Sequence, residues 1–173
     1  MIKSCHNEDE FAYIRGILQT LDLKGPCAEI GVYHGGTAQV IKSERPEEDV
    51  YLFDTFVGIM GEHAEENWPA GDYRCSEKDV RRNIGDDFIY IKGDVCETKN
   101  QVEGLELTFV HFDLDVFYPL DNSLQFFYNL LKKGGIMLIS NYDDSHKGGK
   151  QAIDNFIKDK GYKRYSRYVY LKK

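Results

Sequence analysis

Asp113 and Asp115 stand two residues apart, directly after the apolar run Leu107 to Phe112. Alternate residues of an extended chain share a face, so both carboxylates can point at one site. Other strand-like runs end in a similar way. Cys27 to Gly31 carries Glu29, Val50 to Phe53 ends at Asp54, Phe88 to Ile91 is followed by Gly93-Asp94, and Ile136 to Ile139 is followed by Ser140-Asn141. A single strand-end carboxylate is commonplace, whereas four strands that each end in one suggest a site able to accept hydroxyl or ammonium donors. The first run opens into Gly31-Val32-Tyr33-His34-Gly35-Gly36-Thr37. Glycine lacks Cβ and tolerates positive φ, so such a turn lets backbone approach a ligand closely.

The spacing of that turn separates ligand classes. A dinucleotide fingerprint needs glycines at its first, third and sixth positions. Aligned on Gly31, those positions hold Glu29, Gly31 and His34. A phosphate-binding loop needs Gly-Lys followed by Ser or Thr, and the turn has no lysine. What remains is the pattern Glu-x-Gly-x-x-x-Gly.

The elements around these residues alternate. Asn7 with Glu10 forms a capping-box pattern, and Phe11, Ile14, Ile17, Leu18 and Leu21 keep helical spacing, which predicts an N-terminal helix at about 8–23. Strand one, near 27–31, leads through the glycine turn into a short helix over 38–42. Val50 to Phe53 forms strand two, and a long irregular segment, 55–74, follows it. Ser76 with Asp79 starts a helix that Gly85 ends. Strands at 88–91, 107–112 and 136–139 are joined by a weak helix or loop at 97–104 and a helix over 119–133. A helix over 149–160 precedes a final strand or tight hairpin, 162–171. Apolar strands alternating with helices predict an α/β fold, a doubly wound, mostly parallel sheet in a single domain spanning 1–173. Ligands bind such sheets at the carboxyl ends of the strands.

Several of these segments together resemble one family. The turn at 28–37 is similar to the first motif of class I S-adenosylmethionine (SAM) methyltransferases. Tyr51-Leu52-Phe53-Asp54-Thr55-Phe56-Val57-Gly58 resembles the second-strand motif of the macrocin O-methyltransferase-like family. Val110-His111-Phe112-Asp113-Leu114-Asp115-Val116-Phe117-Tyr118 resembles its His-x-Asp-x-Asp segment. Gly134-Gly135, Tyr142 and Gln151 to Phe156 match its last third. The resemblance implies a Rossmann-like fold and transfer of a methyl group from SAM to a hydroxyl of a small molecule, a sugar or other secondary metabolite. It implies that Glu29, Gly31, Gly35 and Thr37 line the methionine end of SAM, that Asp54 holds the ribose, that Asp94 lies near the adenine, and that Tyr33 and Thr55 also belong to the cofactor site. Asp113 would border the cofactor and help bind a divalent metal, and Asp115 would be the base. A hard cation on the acceptor oxygen favours the alkoxide, and a carboxylate removes the proton.

The chain departs from the family pattern after the fifth strand. Ser140-Asn141 stands where the family has two adjacent metal-binding aspartates before the tyrosine. Neutral oxygens can coordinate but bring no charge, so Mg2+ at Asp113 and Asn141 is expected to bind weakly or not at all. Two rival readings follow. One is a SAM-binding but catalytically degenerate module. The other is a haloacid dehalogenase-type phosphatase built on Asp113 and Asp115, for which the 58 residues after Asp115 leave too little room for the later motifs.

Bulk properties narrow the classes further. The chain has 173 residues, 42% of them hydrophobic, which suits a folded domain. A formal charge of −7 argues against a nucleic-acid-binding surface. No apolar run approaches a membrane span. Cysteines at 5, 27, 75 and 96 form no Cys-x-x-Cys pair and follow no secretory segment, which fits a reduced cytoplasm. The long loop carries His63, Trp68, Tyr73 and Arg74, either as a lid over the acceptor or as plain surface. Tyr162, Tyr165, Tyr168 and Tyr170 fit an aromatic strand against a helix or the edge of a homodimer.

Overall fold

The computed structural model describes residues 4–61 and 68–173. His63, expected in the long loop, lies outside the described residues. The elements run α1 (Glu8–Gln19), β1 (Cys27–Ile30), α2 (Gly36–Glu44), β2 (Val50–Asp54), α3 (Glu77–Ile84), β3 (Ile89–Lys92), α4 (Val95–Thr98), a 3-10 turn (Lys99–Val102), β4 (Leu107–Phe112), α5 (Phe117–Leu130), β5 (Leu131–Ile139), α6 (Lys147–Ile157), β6 (Tyr162–Tyr165) and β7 (Tyr168–Lys172). One seven-stranded sheet has the order β3-β2-β1-β4-β5-β7-β6. Strands β1 to β5 pair in parallel, while β7 runs antiparallel to β5 and to β6. The strand order reverses between β1 and β4, the switch point at which open α/β sheets bind ligands.

Helices cover both faces, so the central strands bury side chains on both sides. Val110, Phe112 and Met137 face one layer with Leu120, Leu124 and Phe127 of α5 and Ile153 of α6. Phe109, Leu52 and Leu138 face the other, with Ile14 and Leu18 of α1, Ala38 and Ile41 of α2 and Val80 of α3. Phe127 meets Phe53 and Phe112 edge-on, with centroids 5.2 and 5.5 Å away, an arrangement that favours aromatic quadrupoles. This alternation aims Glu29 and His111, register partners on β1 and β4, at the α1–α2 side.

Boundaries differ from expectation in places. Helix α1 closes the expected capping box between Asn7 and Glu10 but ends at Gln19, with Thr20 as its C-cap, not near residue 23. The Thr20 hydroxyl donates to the Ile17 carbonyl at 2.7 Å and caps the last turn early. Leu21 is still buried, as part of the connection rather than the helix. Strand β5 starts at Leu131, earlier than expected, because its register against β4 shifts between Leu107 and Phe109 and absorbs the glycine pair. The C-terminal segment is a hairpin, not one strand. Its turn is Ser166-Arg167, with Ser166 at φ 52°.

Candidate active site

A cavity of about 220 Å3 opens at the carboxyl ends of the parallel strands. Glu29, Gly31, Tyr33, Thr37, Asp54, Thr55, Asp94, Asp113, Asp115 and Asn141 all line it. Of the residues expected at the site, only Gly35 stands behind the wall, as the N-cap of α2 at φ 89°.

Two roles of the glycine turn separate in the structure. Gly31 has φ 89°, and a Cβ there would lie 2.2 Å from the Asp113 carbonyl oxygen. Its missing side chain therefore brings the β1 turn against the exit of β4, which is protein packing rather than an opening for ligand. The α2 N-terminus does face the cavity, through Gly36 and Thr37, and carries no side-chain cap. The Gly36 and Thr37 N–H groups at this helix start suit an anionic group.

At the end of the cavity formed by β2 and β3, Asp54 and Asp94 are held by backbone, while Glu29 on β1 meets a side chain. Asp54 Oδ2 accepts from the Val32 and Tyr33 N–H groups at 2.7 and 3.2 Å, and Oδ1 accepts from Phe56 N–H at 2.7 Å. Burial lifts this carboxyl above its ordinary range even though the three donors act in the opposite sense. Asp94 caps α4, accepting from Cys96 N–H at 2.9 Å. Glu29 is buried, with His111 Nδ1 3.2 Å from Oε1. Its Oε2 has no hydrogen-bond partner among the described residues. The Ala38 N–H favours its ionisation, but burial and the charges of Asp113 and Asp54 push the carboxyl well above its usual value. Burial likewise brings His111 down to about 4, so it is a neutral ring at pH 7.

At the β4–β5 end the carboxylates are held by side chains. Asp113 Oδ1 lies 2.5 Å from the Ser140 hydroxyl and 3.1 Å from Asn141 Nδ2. The Ser140 proton serves either Asp113 or the Phe112 carbonyl, 2.8 Å away. His6 Nδ1 stands 3.7 Å from Asp113 Oδ2, beyond hydrogen-bond reach, and burial drives His6 below its ordinary value. Burial opposes ionisation of Asp113, yet His6, His111, Ser140 and Arg167 outweigh it and hold the carboxyl below the usual range. Asp115 behaves oppositely. Burial, then the charge of Asp113, push it up to about 8. Two neighbouring carboxyls driven apart in this way are suited to different tasks.

Asn141 joins the pair. Its Nδ2 donates to Asp113 Oδ1 and, at 2.8 Å, to Asp115 Oδ1. Its Oδ1 accepts from an Arg167 guanidinium nitrogen at 2.8 Å. This corrects the expected metal pair of Asp113 and Asn141, because the amide turns its nitrogen to the aspartates and its oxygen to an arginine. The donor set does not fit a divalent ion, which needs oxygen ligands. Among the described residues no group of three His, Cys, Asp or Glu side chains is placed to hold a metal. Asp143 does not fold back to Asp113 either. It engages Ser145 and His146, and Asp144 is fully exposed.

Arg167, His146 and His6 were not singled out as site residues from the sequence. His146 Nε2 is 3.3 Å from Asp115, and its Nδ1 is 2.9 Å from Asp143. Trp68 stacks on the His146 ring, with centroids 5.6 Å apart, and lies 5.7 Å from Tyr73, which lines the cavity. Of the loop residues, Tyr73 thus reaches the cavity and Trp68 packs behind it on His146. Arg167 sits in the β6–β7 turn, and no spacing rule links it to Asp113.

Comparison with known proteins points one way. A family model described as macrocin-O-methyltransferase (TylF) matches residues 12–166. No curated protein sequence matches. Solved structures similar to this chain include the calicheamicin methyltransferase CalS11, with TM-score 0.72 and 19% identity over 96% of this chain and 80% of that one. The O-methyltransferase NovP gives TM-score 0.77 and 21% identity over 94% of this chain and 78% of that one. MycE methyltransferase from the mycinamycin biosynthetic pathway, in complex with Mg and SAH, gives TM-score 0.62 and 15% identity over 99% of this chain and 51% of that one. At these identities the structural likeness establishes the fold, a Rossmann-like methyltransferase sheet.

Proposed function

Because the chain belongs to the macrocin-O-methyltransferase family and is a methyltransferase, we propose that it methylates a hydroxyl of a small molecule, a sugar or another secondary metabolite, with SAM as donor. The observation that carries this reading is one cavity joining an unpartnered buried Glu29 oxygen to the Asp113–Asp115 pair. The residues at the β1–β2 end fit SAM. Glu29 Oε2 is a buried acceptor that an ammonium group would satisfy, and the uncapped start of α2 would take a carboxylate. Asp54 uses three of its roughly four acceptor positions on backbone, which leaves one for a ribose hydroxyl. Asp94 lines the same wall and would lie toward the adenine. SAM, when bound, supplies a methyl group activated by its sulfonium.

The remaining work falls to this chain. Asp115 takes the proton of the acceptor hydroxyl, which makes that oxygen nucleophilic. A carboxyl at about 8 is matched to proton removal near neutral pH. His146 links Asp115 to Asp143 at the cavity rim. Tyr73 and His146, backed by Trp68, offer flat faces to the acceptor beside Asp115. These walls suit a small ring, and the chain's acidic balance suits neither nucleic acid nor an anionic membrane. No helix among the described residues is long and apolar enough to cross a membrane. The test is to titrate S-adenosylhomocysteine by calorimetry, then incubate the protein with methyl-labelled SAM and a panel of sugars, nucleotide sugars and phenols. Binding and a labelled methyl ether support the reading. No heat with S-adenosylhomocysteine would sink it.

A further inference from the structure

The β4–β5 end of the cavity has a cation, but an organic one. Arg167 lies in the hairpin turn, where its carbonyl accepts from Tyr142 N–H at 2.9 Å, so the turn is fastened beside Asn141. Its Nε donates to Glu10 Oε1 at 2.7 Å across a sequence separation of 157 residues. The other Glu10 oxygen accepts from Asn7 N–H at 2.9 Å and closes the start of α1. The guanidinium is therefore anchored from two sides, and it cannot lose its proton at any working pH. It also donates to the Asn141 carbonyl oxygen at 2.8 Å and lies over the Tyr168 ring.

The polarity of that amide is dictated by its neighbours. Turned over, its oxygen would face two carboxylates and its two donors would face a guanidinium, which is unfavourable on both sides. Asn141 holds this pose at φ 64°, a left-handed backbone that asparagine tolerates better than most residues. It is almost completely buried. Positive charge thus reaches the aspartates through one amide: guanidinium to carbonyl, then the two N–H groups to Asp113 and Asp115.

We propose that Arg167, acting through the Asn141 carboxamide, takes the electrostatic place of the divalent ion that the family pattern leads one to expect beside Asp113, so that this aspartate pair is organised without a metal. Arg167 and Asn141 are positioning residues in this scheme. The proposal rests on Asp113 and Asp115 belonging to the methyltransferase site, not on the identity of the acceptor.

Manganese, followed by electron paramagnetic resonance, tests it on the full chain. Wild type, Asn141→Asp, and Asn141→Asp with Arg167→Gln are titrated with Mn2+ into the millimolar range. Wild type is expected to leave the free-ion signal unchanged. The double variant is expected to bind a single ion at the site, and Asn141→Asp alone more weakly, since the guanidinium still competes for the new carboxylate. Stoichiometric binding by wild type that Asp113→Asn abolishes would overturn the proposal. So would a double variant, folded by circular dichroism, that binds no tighter than wild type. Should the double variant not fold, the wild-type titration decides alone. S-adenosylhomocysteine calorimetry on the same samples reports separately on the methyltransferase reading, so the two failures are distinguishable.

Discussion

The two ends of the cavity hold their carboxylates by different means. Near β2 and β3, Asp54 and Asp94 accept from backbone N–H groups of Val32, Tyr33, Phe56 and Cys96. Near β4 and β5, Asp113 and Asp115 are held by the side chains of Ser140, Asn141 and His146. Backbone donors belong to the turn, whatever residues occupy it. Side-chain donors depend on each residue present, and a single replacement can rewire them. In the proposed reading, the end assigned to SAM keeps the motifs that resemble the family, while the end assigned to the chemistry carries the departure at Ser140-Asn141.

The comparison can be broken most severely at Asp115. Asp115→Asn is expected to lower turnover by about 10²- to 10⁴-fold, the usual contribution of a general base. S-adenosylhomocysteine affinity should stay near wild type. An equal loss of binding, read by calorimetry, would show that the two ends are not separate. Asp54→Ala strikes the other end. It strands three backbone donors and should cost roughly 2–3 kcal/mol of stability in urea unfolding, and it should weaken S-adenosylhomocysteine binding by about tenfold or more, with 1.4 kcal/mol per decade.

Smaller effects probe the link between Arg167 and the base. The Asp115 carboxyl lies at about 8, and as the proposed base it would work only when ionised, so turnover should rise with pH through about 8 and level off above it. Arg167 pulls that carboxyl down. Arg167→Met should therefore move the midpoint of the pH–rate profile upward. A midpoint that stays or falls would separate Arg167 from the pair. The same change should cost about 1–2 kcal/mol in unfolding free energy, because it leaves the Asn141 oxygen and Glu10 Oε1 without their arginine donor. Trp68→Ala is expected to have the least effect. Losing its ring contacts with His146 and Tyr73 should cost about 1 kcal/mol in unfolding free energy, with acceptor KM raised no more than a few-fold.

Much of the fold was legible because its signals are local. The Asn7–Glu10 capping box and the apolar strand runs each lie within a few residues, whereas the expected helix entry at Pro119 falls inside the first turn of a helix that begins at Phe117. The strand-end carboxylates are local signals too, and all of them reach the cavity. The glycine turn was legible only in part. Spacing marks Gly31 as a position of close approach, but not that the approaching group is the Asp113 backbone. The C-terminal segment left strand and hairpin both open, since four tyrosines satisfy either. The insertion of β7 beside β5 decides it by burying Tyr168 and Val169 in the sheet.

The order of motifs by itself determined the family, the parallel sheet and the set of carboxylates at its carboxyl edge. Periodicity and turn chemistry act over a few residues and can be read without coordinates. Tertiary structure decided what surrounds those carboxylates. Asn141 reads in sequence as a weak metal ligand. It becomes a bridge between two aspartates only because a hairpin turn delivers Arg167 to its oxygen and a helix at the far end of the chain delivers Glu10 to Arg167. Electrostatic partners are chosen by distance in space, and no local pattern encodes a contact 157 residues long.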